Sequence, residues 1–176
     1  RNDPTVSLIC LTVCSADSAN LGGNGIMIER SGVNVSGCHI RDIGCTAVSI
    51  AHIGDNRTLT PGAVEVSDNN IHDFARVYRT VQPGVRWKWT VGARILRNEI
   101  WHAAHVGIIG SWGQDNVFDG NYLHDLGRGS SDAGAFYAGR HWIDRGNVVS
   151  NSRFARIYQT EEIAETGNAV RGIYLE

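Results

Sequence analysis

The sequence lacks the features that would point to a nucleic-acid, membrane or structural-metal function. Its 16 Lys and Arg residues are balanced by 18 Asp and Glu residues and form no basic cluster, so a nucleic-acid partner is not expected. No apolar run is long enough to span a bilayer, so membrane association is not expected either. The cysteines lack the paired C-x-x-C spacing of zinc sites, and neither a metal nor a cofactor is predicted.

The sequence starts at Arg1 rather than Met and shows no signal peptide, so we expect residues 1–176 to be a single domain that is a portion of a longer chain. The sequons at Asn34 and Asn56 predict glycosylation, and the even number of cysteines permits disulfides in three pairings. These features favour a secreted protein, but short sequons also arise by chance and cysteines also serve as small core residues. The cysteines are Cys10, Cys14, Cys38 and Cys45.

Proline is scarce in the sequence, whereas glycine is abundant. The 21 glycines stand against 3 prolines, and the chain is 42% hydrophobic and 19% charged, as in globular proteins. Glycine together with many β-branched residues, without a long helical pattern, predicts an all-β chain of short strands and tight turns.

A repeated pattern determines the expected architecture. Five segments share a short alternating strand, a small polar residue and an apolar residue two positions later, and a second apolar strand follows most of them. The polar positions are 31, 29, 23 and 31 residues apart. No single repeat can bury its own apolar face, so the repeats must stack as the coils of a parallel β-helix. The polar position holds Cys38, Asn69, Asn98, Asn121 and Ser152.

Asparagine at the repeated position has a physical explanation. In a stack of coils, an inward asparagine at a bend can hydrogen-bond to the same residue of the next coil, roughly 4.8 Å away. The extra residues of the longer coils, 55–62 and 80–90, should leave the stack as surface loops. The second loop carries Trp87 and Trp89, which would suit sugar stacking if exposed, or else pack against the coil.

The second half of the chain resembles a known family. The sequence Asp-Ala-Gly-Ala-Phe-Tyr-Ala-Gly-Arg-His-Trp at residues 132–142 and Gly-Ile-Tyr-Leu-Glu at residues 172–176 carry the resemblance, with residues 98–105 and 145–149. They are similar to the right-handed parallel β-helix (pectin-lyase-like) proteins related to glycoside hydrolases that act on polysaccharides. The resemblance implies a right-handed helix of about six coils, a secreted carbohydrate-active protein, a polysaccharide or oligosaccharide partner, and further coils in the parent chain.

Stacking the coils in register predicts the candidate site. One face would present residues from three coils, with Asp132 as the leading catalytic carboxylate and Glu176 as the second, because glycoside hydrolysis uses two carboxyl groups. His105 and Arg140 would bind the sugar and keep one carboxylate ionised. Tyr137 would orient the substrate or donate a proton. The predicted substrate-binding residues are His105, Tyr137, Arg140, Tyr174, Trp87 and Trp89.

Alternatives remain at the level of sequence. Each site residue also has a structural interpretation, as a turn cap, a scaffold ion pair or a solvated terminus. The outward column of His72, Asp73, His102, His124 and Asp125 looks like a metal cluster, but it recurs once per coil and indicates turn chemistry. A non-catalytic β-helix could bind glycan or assemble end to end into a homo-oligomer. A polysaccharide lyase is a third possibility, and it would require calcium beside a basic residue.

Overall fold

The computed structural model describes residues 11–14, 17–129, 131–159 and 169–176, so Cys10 lies outside the described residues. In chain order the strands are β1 (Leu11–Cys14), β2 (Asp17–Leu21), β3 (Ile26–Ile28), β4 (Val33–Ser36), β5 (His39–Ile43), β6 (Val48–Ile53), β7 (Glu65–Ser67), β8 (Asn70–His72), β9 (Val85–Val91), β10 (Arg94–Leu96), β11 (Glu99–Trp101), β12 (Ile108–Gln114), β13 (Val117–Asp119), β14 (Tyr122–Leu126), β15 (Ala133–Ala138), β16 (Val148–Ser150), β17 (Arg153–Ile157) and β18 (Val170–Leu175). A search of the same residues finds no helix long and apolar enough to cross a membrane.

Every third strand belongs to the same sheet. Sheet A contains β1 and every third strand after it, sheet B starts with β2, and sheet C starts with β3. Each sheet has six strands, and all neighbouring strands are parallel. Three strands therefore make one coil and six coils make a right-handed parallel β-helix, which confirms the predicted fold. The surface loop predicted over residues 80–90 was wrong in its second half, because Val85–Val91 forms β9.

The core is built from columns of inward side chains. Strand side chains alternate between the two faces of a sheet, so one residue in two points into the coil. In sheet B, Ile40, Ile71, Ile100 and Leu123 lie in register on neighbouring strands and are all fully buried or nearly so. Burying one such side chain contributes about 1.5 to 3 kcal/mol, so the stacked columns hold the solenoid together.

The predicted asparagine ladder is present at the bend before sheet B. The Asn69 side-chain amide donates to Asn98 Oδ1 at 2.8 Å, and the Asn98 amide donates to Asn121 Oδ1 at 3.1 Å. At the two ends, the Cys38 amide N–H donates to Asn69 Oδ1 at 2.9 Å and the Asn121 amide N–H donates to Ser152 Oγ at 3.1 Å. These bonds satisfy backbone groups that the bend removes from the strand ladders.

A second ladder at another bend was not predicted. Asn116 donates through its side chain to Asn147 Oδ1 at 2.9 Å and accepts the Thr90 hydroxyl at 3.1 Å. The Asn147 amide then donates to the Gly113 carbonyl at 2.9 Å. Asn116 and Asn147 come directly before β13 and β16 of sheet A, at a position that the sequence repeat assigns to the strands.

The His and Asp column on the outside of sheet B has the turn role that the sequence indicated. Asp73, His102 and Asp125 have φ values of 51°, 55° and 54°, in the left-handed region that a tight bend requires. Their side chains pair within the column: His72 Nδ1 lies 2.6 Å from Asp73 Oδ2, and His124 Nδ1 lies 2.7 Å from Asp125 Oδ2. Within the described part of the chain, no three His, Cys, Asp or Glu side chains are grouped to hold a metal ion.

Asp125 gives this column a predicted acid sensitivity. Arg156 donates to its carboxylate at 2.8 Å and Arg128 at 2.8 Å, and the Arg156 hydrogen bonds lower the Asp125 pKa well below its ordinary value of 3.8. A lowered pKa means that the carboxylate stabilises the fold above about pH 4 and loses this effect as the pH falls toward its folded-state pKa. We expect Asp125→Asn to lower Tm by about 2 to 4 °C at pH 7.

The same comparison at pH 2 should show a smaller difference, because the Asp125 carboxyl of the unfolded chain is then protonated and unfolding takes up a proton. Thermal unfolding followed by circular dichroism at the two pH values measures both effects. The exposed Glu29 supplies a control, Glu29→Gln, with an unchanged Tm at pH 7. An equal loss in Asp125→Asn at both pH values would contradict the electrostatic explanation.

One end of the solenoid exposes inward-facing apolar side chains. Ile173 lies in register with the buried Phe136 of the preceding coil but is 45% exposed, and Leu175 is 69% exposed. These two residues belong to the last described coil of sheet C. Stacking of further coils or of a second copy of the chain on this end stays a prediction.

The sequon asparagines are partly exposed, whereas Cys38 and Cys45 differ in burial. Asn34 is partly exposed in β4, and Asn56 is partly exposed in a turn closed by the Asp55 amide and the Thr60 carbonyl at 2.9 Å. Cys38 is buried in the core, with its sulfur 3.6 Å from the Ser36 carbonyl oxygen, and Cys45 is partly exposed. Glycosylation and secretion stay predictions.

Candidate active-site cleft

A cleft of about 480 Å³ lies on the outer face of sheet C. Its walls come from three neighbouring coils and include Arg86 and Lys88 of β9, and Ile109 and Ser111 of β12. Five predicted site residues also contribute to its lining: Trp87, His105, Asp132, Tyr137 and Arg140. The structure therefore brings together residues that are up to 53 positions apart in the sequence.

Strand alternation turns the tyrosine of this group toward the cleft. Phe136 points into the core, so Tyr137, the next residue of β15, points outward. Tyr137 lies in register with Ile109 of the preceding coil and with Tyr174 of the following coil. The rings of Tyr137 and Tyr174 meet edge to face with 5.0 Å between centroids, so Tyr174 packs against Tyr137 from the next coil.

Glu176 is positioned at the edge of the cleft by backbone pairing. Its N–H donates to the Ala138 carbonyl at 3.1 Å, and its carbonyl accepts the Arg140 N–H at 2.9 Å. The intervening Gly139 has a φ of 147°, and a Cβ atom there would overlap the Glu176 carbonyl. Glycine at position 139 is therefore required for Glu176 to approach.

Arg140 contacts both predicted catalytic carboxylates. Its Nε donates to Glu176 Oε2 at 2.6 Å, and its Nη2 lies 3.9 Å from Asp132 Oδ2. Since both oxygens contact one guanidinium group, they are less than about 9 Å apart, which does not exceed the upper limit of roughly 9.5 Å for the two carboxyl groups of a glycoside hydrolase. Asp132 has a φ of 52°, the left-handed value that Asp73 and Asp125 also adopt at the bends of other coils.

The contacts around Glu176 set its protonation state. The Tyr137 hydroxyl donates to Glu176 Oε2, and this bond, together with the one from Arg140, lowers the Glu176 pKa from its ordinary value of 4.5. Partial burial, and then the bond to Glu176, raise the Tyr137 pKa to about 12. At neutral pH, Glu176 is therefore ionised and Tyr137 keeps its proton.

His105 is the most buried polar group of the cleft. Burial lowers its pKa, while the nearby Asp132 carboxylate and the Ser131 backbone partly oppose the shift. Its Nδ1 is buried and has no hydrogen-bond partner among the described residues. A neutral imidazole next to Asp132 can exchange hydrogen bonds with a sugar hydroxyl without adding charge.

The sequence left two alternatives for the tryptophan pair, exposed for sugar stacking or packed against the coil, and Trp87 is packed rather than exposed. This side chain is fully buried, because it points inward from β9, and its ring packs 5.6 Å from that of Phe118. Trp89 is partly exposed and belongs to an aromatic stack that crosses four coils. Centroid distances along the stack are 6.4, 4.0 and 3.2 Å for the successive pairs. The aromatic stack consists of His52, Trp89, Trp112 and His141.

Sequence reasoning missed three of the four stack residues and several polar cleft residues, among them Arg86, Lys88 and Ser111. Lys88 and Ser111 line the cleft in register on β9 and β12. The signal that could have revealed them is the alternation of residues 85–91, which matches that of residues 108–114. Assigning residues 80–90 to a loop hid this match.

Comparisons with known proteins support the fold. No protein-family model matches the chain, and a search of curated proteins found no match. A solved structure described as a glycoside hydrolase superposes with a TM-score of 0.69 and 16% identity over 94% of this chain and 35% of that chain. A second, XylC in complex with xylose, gives a TM-score of 0.55 and 13% identity over 72% of this chain and 19% of that one.

The chain thus spans about a third of the first structure and about a fifth of the second. Sequence identities this low establish a shared fold, and they leave the activity to be argued from the cleft.

Proposed function

We propose that this chain is part of a secreted carbohydrate-active protein that hydrolyses glycosidic bonds in a polysaccharide. The observation that carries the proposal is the contact of both Asp132 and Glu176 with the guanidinium group of Arg140, where Asp132 and Arg140 line an open cleft and Glu176 lies beside it. Glycoside hydrolysis needs two carboxyl groups flanking the scissile bond, and this separation is compatible with it. The two superposed structures, a glycoside hydrolase and a xylose complex, are consistent with a sugar ligand.

The two carboxyl groups have different surroundings, which suggests different roles. Glu176 is held ionised by Tyr137 and Arg140, so it would act as the nucleophile or as the base that activates water. That leaves Asp132, whose contact with Arg140 is 3.9 Å long, as the second carboxyl group, which would be the acid that protonates the leaving oxygen. Arg140, Tyr137 and His105 would hold sugar hydroxyls.

A lyase mechanism would need a base to remove a proton from the sugar. Tyr137 is a poor base because its pKa is raised to about 12, so the base would have to be Lys88, which also lines the cleft. Calcium is expected only if the protein is a lyase, and a calcium ion stays a prediction. Non-catalytic assembly keeps one supporting observation, the exposed Ile173 and Leu175 at one end of the solenoid.

A polysaccharide screen separates these functions. We expect incubation with xylan, mannan, laminarin, polygalacturonate and alginate to release new reducing ends from at least one of them, without a rise in ultraviolet absorbance. Unsaturated products that absorb in the ultraviolet would show a lyase instead. Light scattering that reveals filaments, together with no product from any polymer, would favour the assembly protein and contradict hydrolysis.

A further inference from the structure

A fixed turn follows the cleft-lining part of β15. The Asp144 carboxylate accepts the Gly113 N–H at 2.7 Å, and the Asp144 N–H donates to the His141 carbonyl at 3.1 Å, which closes the turn. One residue later, the Arg145 carbonyl accepts the Asp115 N–H at 2.9 Å. The turn is therefore bonded to the preceding coil through the Asp144 side chain and through the Arg145 backbone.

The aromatic stack also supports this turn, because His141 belongs to both. The His141 ring lies on that of Trp112, with 3.2 Å between centroids and 21° between planes, and Trp112 in turn contacts Trp89 at 4.0 Å. Rings stacked on one another cover each other's faces and leave only edges for a ligand. The stack therefore acts as a support rather than as a sugar-binding surface.

Trp142, at the tip of this turn, is 89% exposed. Among the residues that the structure describes, its indole contacts one other ring, that of the supporting His141, at a centroid distance of 5.8 Å. A large aromatic side chain held in water on an ordered turn loses the free energy of burial, and such side chains are common anchors of binding sites. Because the contacts of its neighbours fix the turn, the Trp142 ring is exposed at a defined place and is available to a ligand.

The position of the turn indicates which ligand this is. Three residues that line the cleft, Lys88, Ser111 and Arg140, are each followed directly by a member of the aromatic stack. The stack is therefore the rim of the cleft, and Trp142 follows the last of its rings. A ligand that fills the cleft and continues past Arg140 meets the exposed indole next.

We propose that Trp142 is the stacking platform of an additional saccharide subsite that adjoins the cleft. The proposal rests on the function proposed above, since the cleft would hold the sugar units that react. A pyranose ring has an apolar C–H face and polar edges, which match an indole face surrounded by water. Oligosaccharides long enough to leave the cleft would gain this contact, and short ones would not.

Binding measured against ligand length tests the subsite. Isothermal titration would compare wild type with Trp142→Ala, both carrying Glu176→Gln to prevent turnover, using the hexasaccharides and disaccharides of xylose, mannose, β-1,3-glucose and galacturonate. We expect Trp142→Ala to weaken hexasaccharide binding about tenfold, the effect of losing one aromatic contact, and to leave disaccharide binding unchanged. Trp142→Phe should restore most of the affinity.

Two controls keep the result interpretable. Tyr158 is an exposed aromatic residue at the end of sheet B, and Tyr158→Ala should bind hexasaccharide like the wild type. Equal hexasaccharide affinity in wild type and Trp142→Ala would overturn the subsite while leaving the proposed hydrolase intact. Failure of every saccharide to bind the wild type would overturn both. A change of oligomeric state in Trp142→Ala by light scattering would show a protein interface and also overturn the subsite.

Discussion

Replacing Glu176 with Gln is expected to lower kcat on the cleaved polysaccharide by about 10³-fold or more, the scale on which glycosidases depend on their carboxylates. The substitution keeps the size of the side chain and removes its charge. Arg140 and Tyr137 could still bond to the amide oxygen, so substrate binding should change little. The expected signature is a large loss in kcat with a nearly unchanged KM, measured from reducing ends.

A matched substitution tests whether the charge acts at this position only. Glu29 lies just after β3, five coils away on the same sheet, and Glu29→Gln should keep full activity. Asp132→Asn should lose about 10² to 10⁴-fold, as expected when a general acid is removed. Wild-type activity in Glu176→Gln, with an unchanged Tm, would remove Glu176 from the mechanism and with it the proposed pair of carboxylates.

The pH profile provides an independent check of the same group. A base or nucleophile must be ionised, and the Glu176 pKa is lowered below 4.5 by Tyr137 and Arg140. Activity should therefore persist below pH 4.5 and fall only as Glu176 becomes protonated. Tyr137→Phe removes the largest of these influences, so the acidic limb should move upward in that variant.

Most of the fold was predictable because a solenoid repeats one local requirement in every coil. The bend before sheet B needs a small polar side chain that can bond along the axis, and the core needs an apolar residue two positions later. Asn69, Asn98 and Asn121 show this requirement directly in the sequence. Since neighbouring strands lie in register, the same repeat also placed Tyr137 beside Tyr174 and brought His105 near Asp132.

Trp87 could not be placed correctly because its burial depends on a neighbouring coil. Its large ring fits inside the solenoid only because Gly110 and Gly113 of β12 leave room, and a Cβ atom at either glycine would overlap the indole. This complementarity joins segments more than 20 residues apart and has no local pattern. A tryptophan in a polar stretch therefore looked like a surface residue.

The aromatic stack and the turn that carries Trp142 were missed for a related reason. Two members of the stack lie at positions where the backbone itself bends, because φ is 55° at Trp89 and 65° at Trp112. A bend interrupts strand alternation, so the direction of these side chains cannot be read from the period of two. Asp144, which fixes the turn, has no repeated equivalent in the chain.

Asn98→Ala is expected to be the most destabilising of the proposed substitutions, lowering the free energy of unfolding by about 3 to 5 kcal/mol. The Asn98 side chain accepts from the backbone and side chain of Asn69 and donates to the Val66 carbonyl and to Asn121 Oδ1. Alanine would leave these four buried partner groups without their bonds, and no water could reach them without opening the bend. Urea unfolding, compared with the wild type, measures the loss.

Two further variants separate the ladder from ordinary loss of a polar side chain. Asn34 is partly exposed in β4, so Asn34→Ala should change the free energy of unfolding by less than about 0.5 kcal/mol. Asn98→Ser should lose less than Asn98→Ala, because Ser152 shows that a hydroxyl can accept the bend N–H of the neighbouring coil. If Asn98→Ala unfolded at the wild-type urea concentration, the stacked coils would be held by apolar packing alone, and the ladder would set only their register.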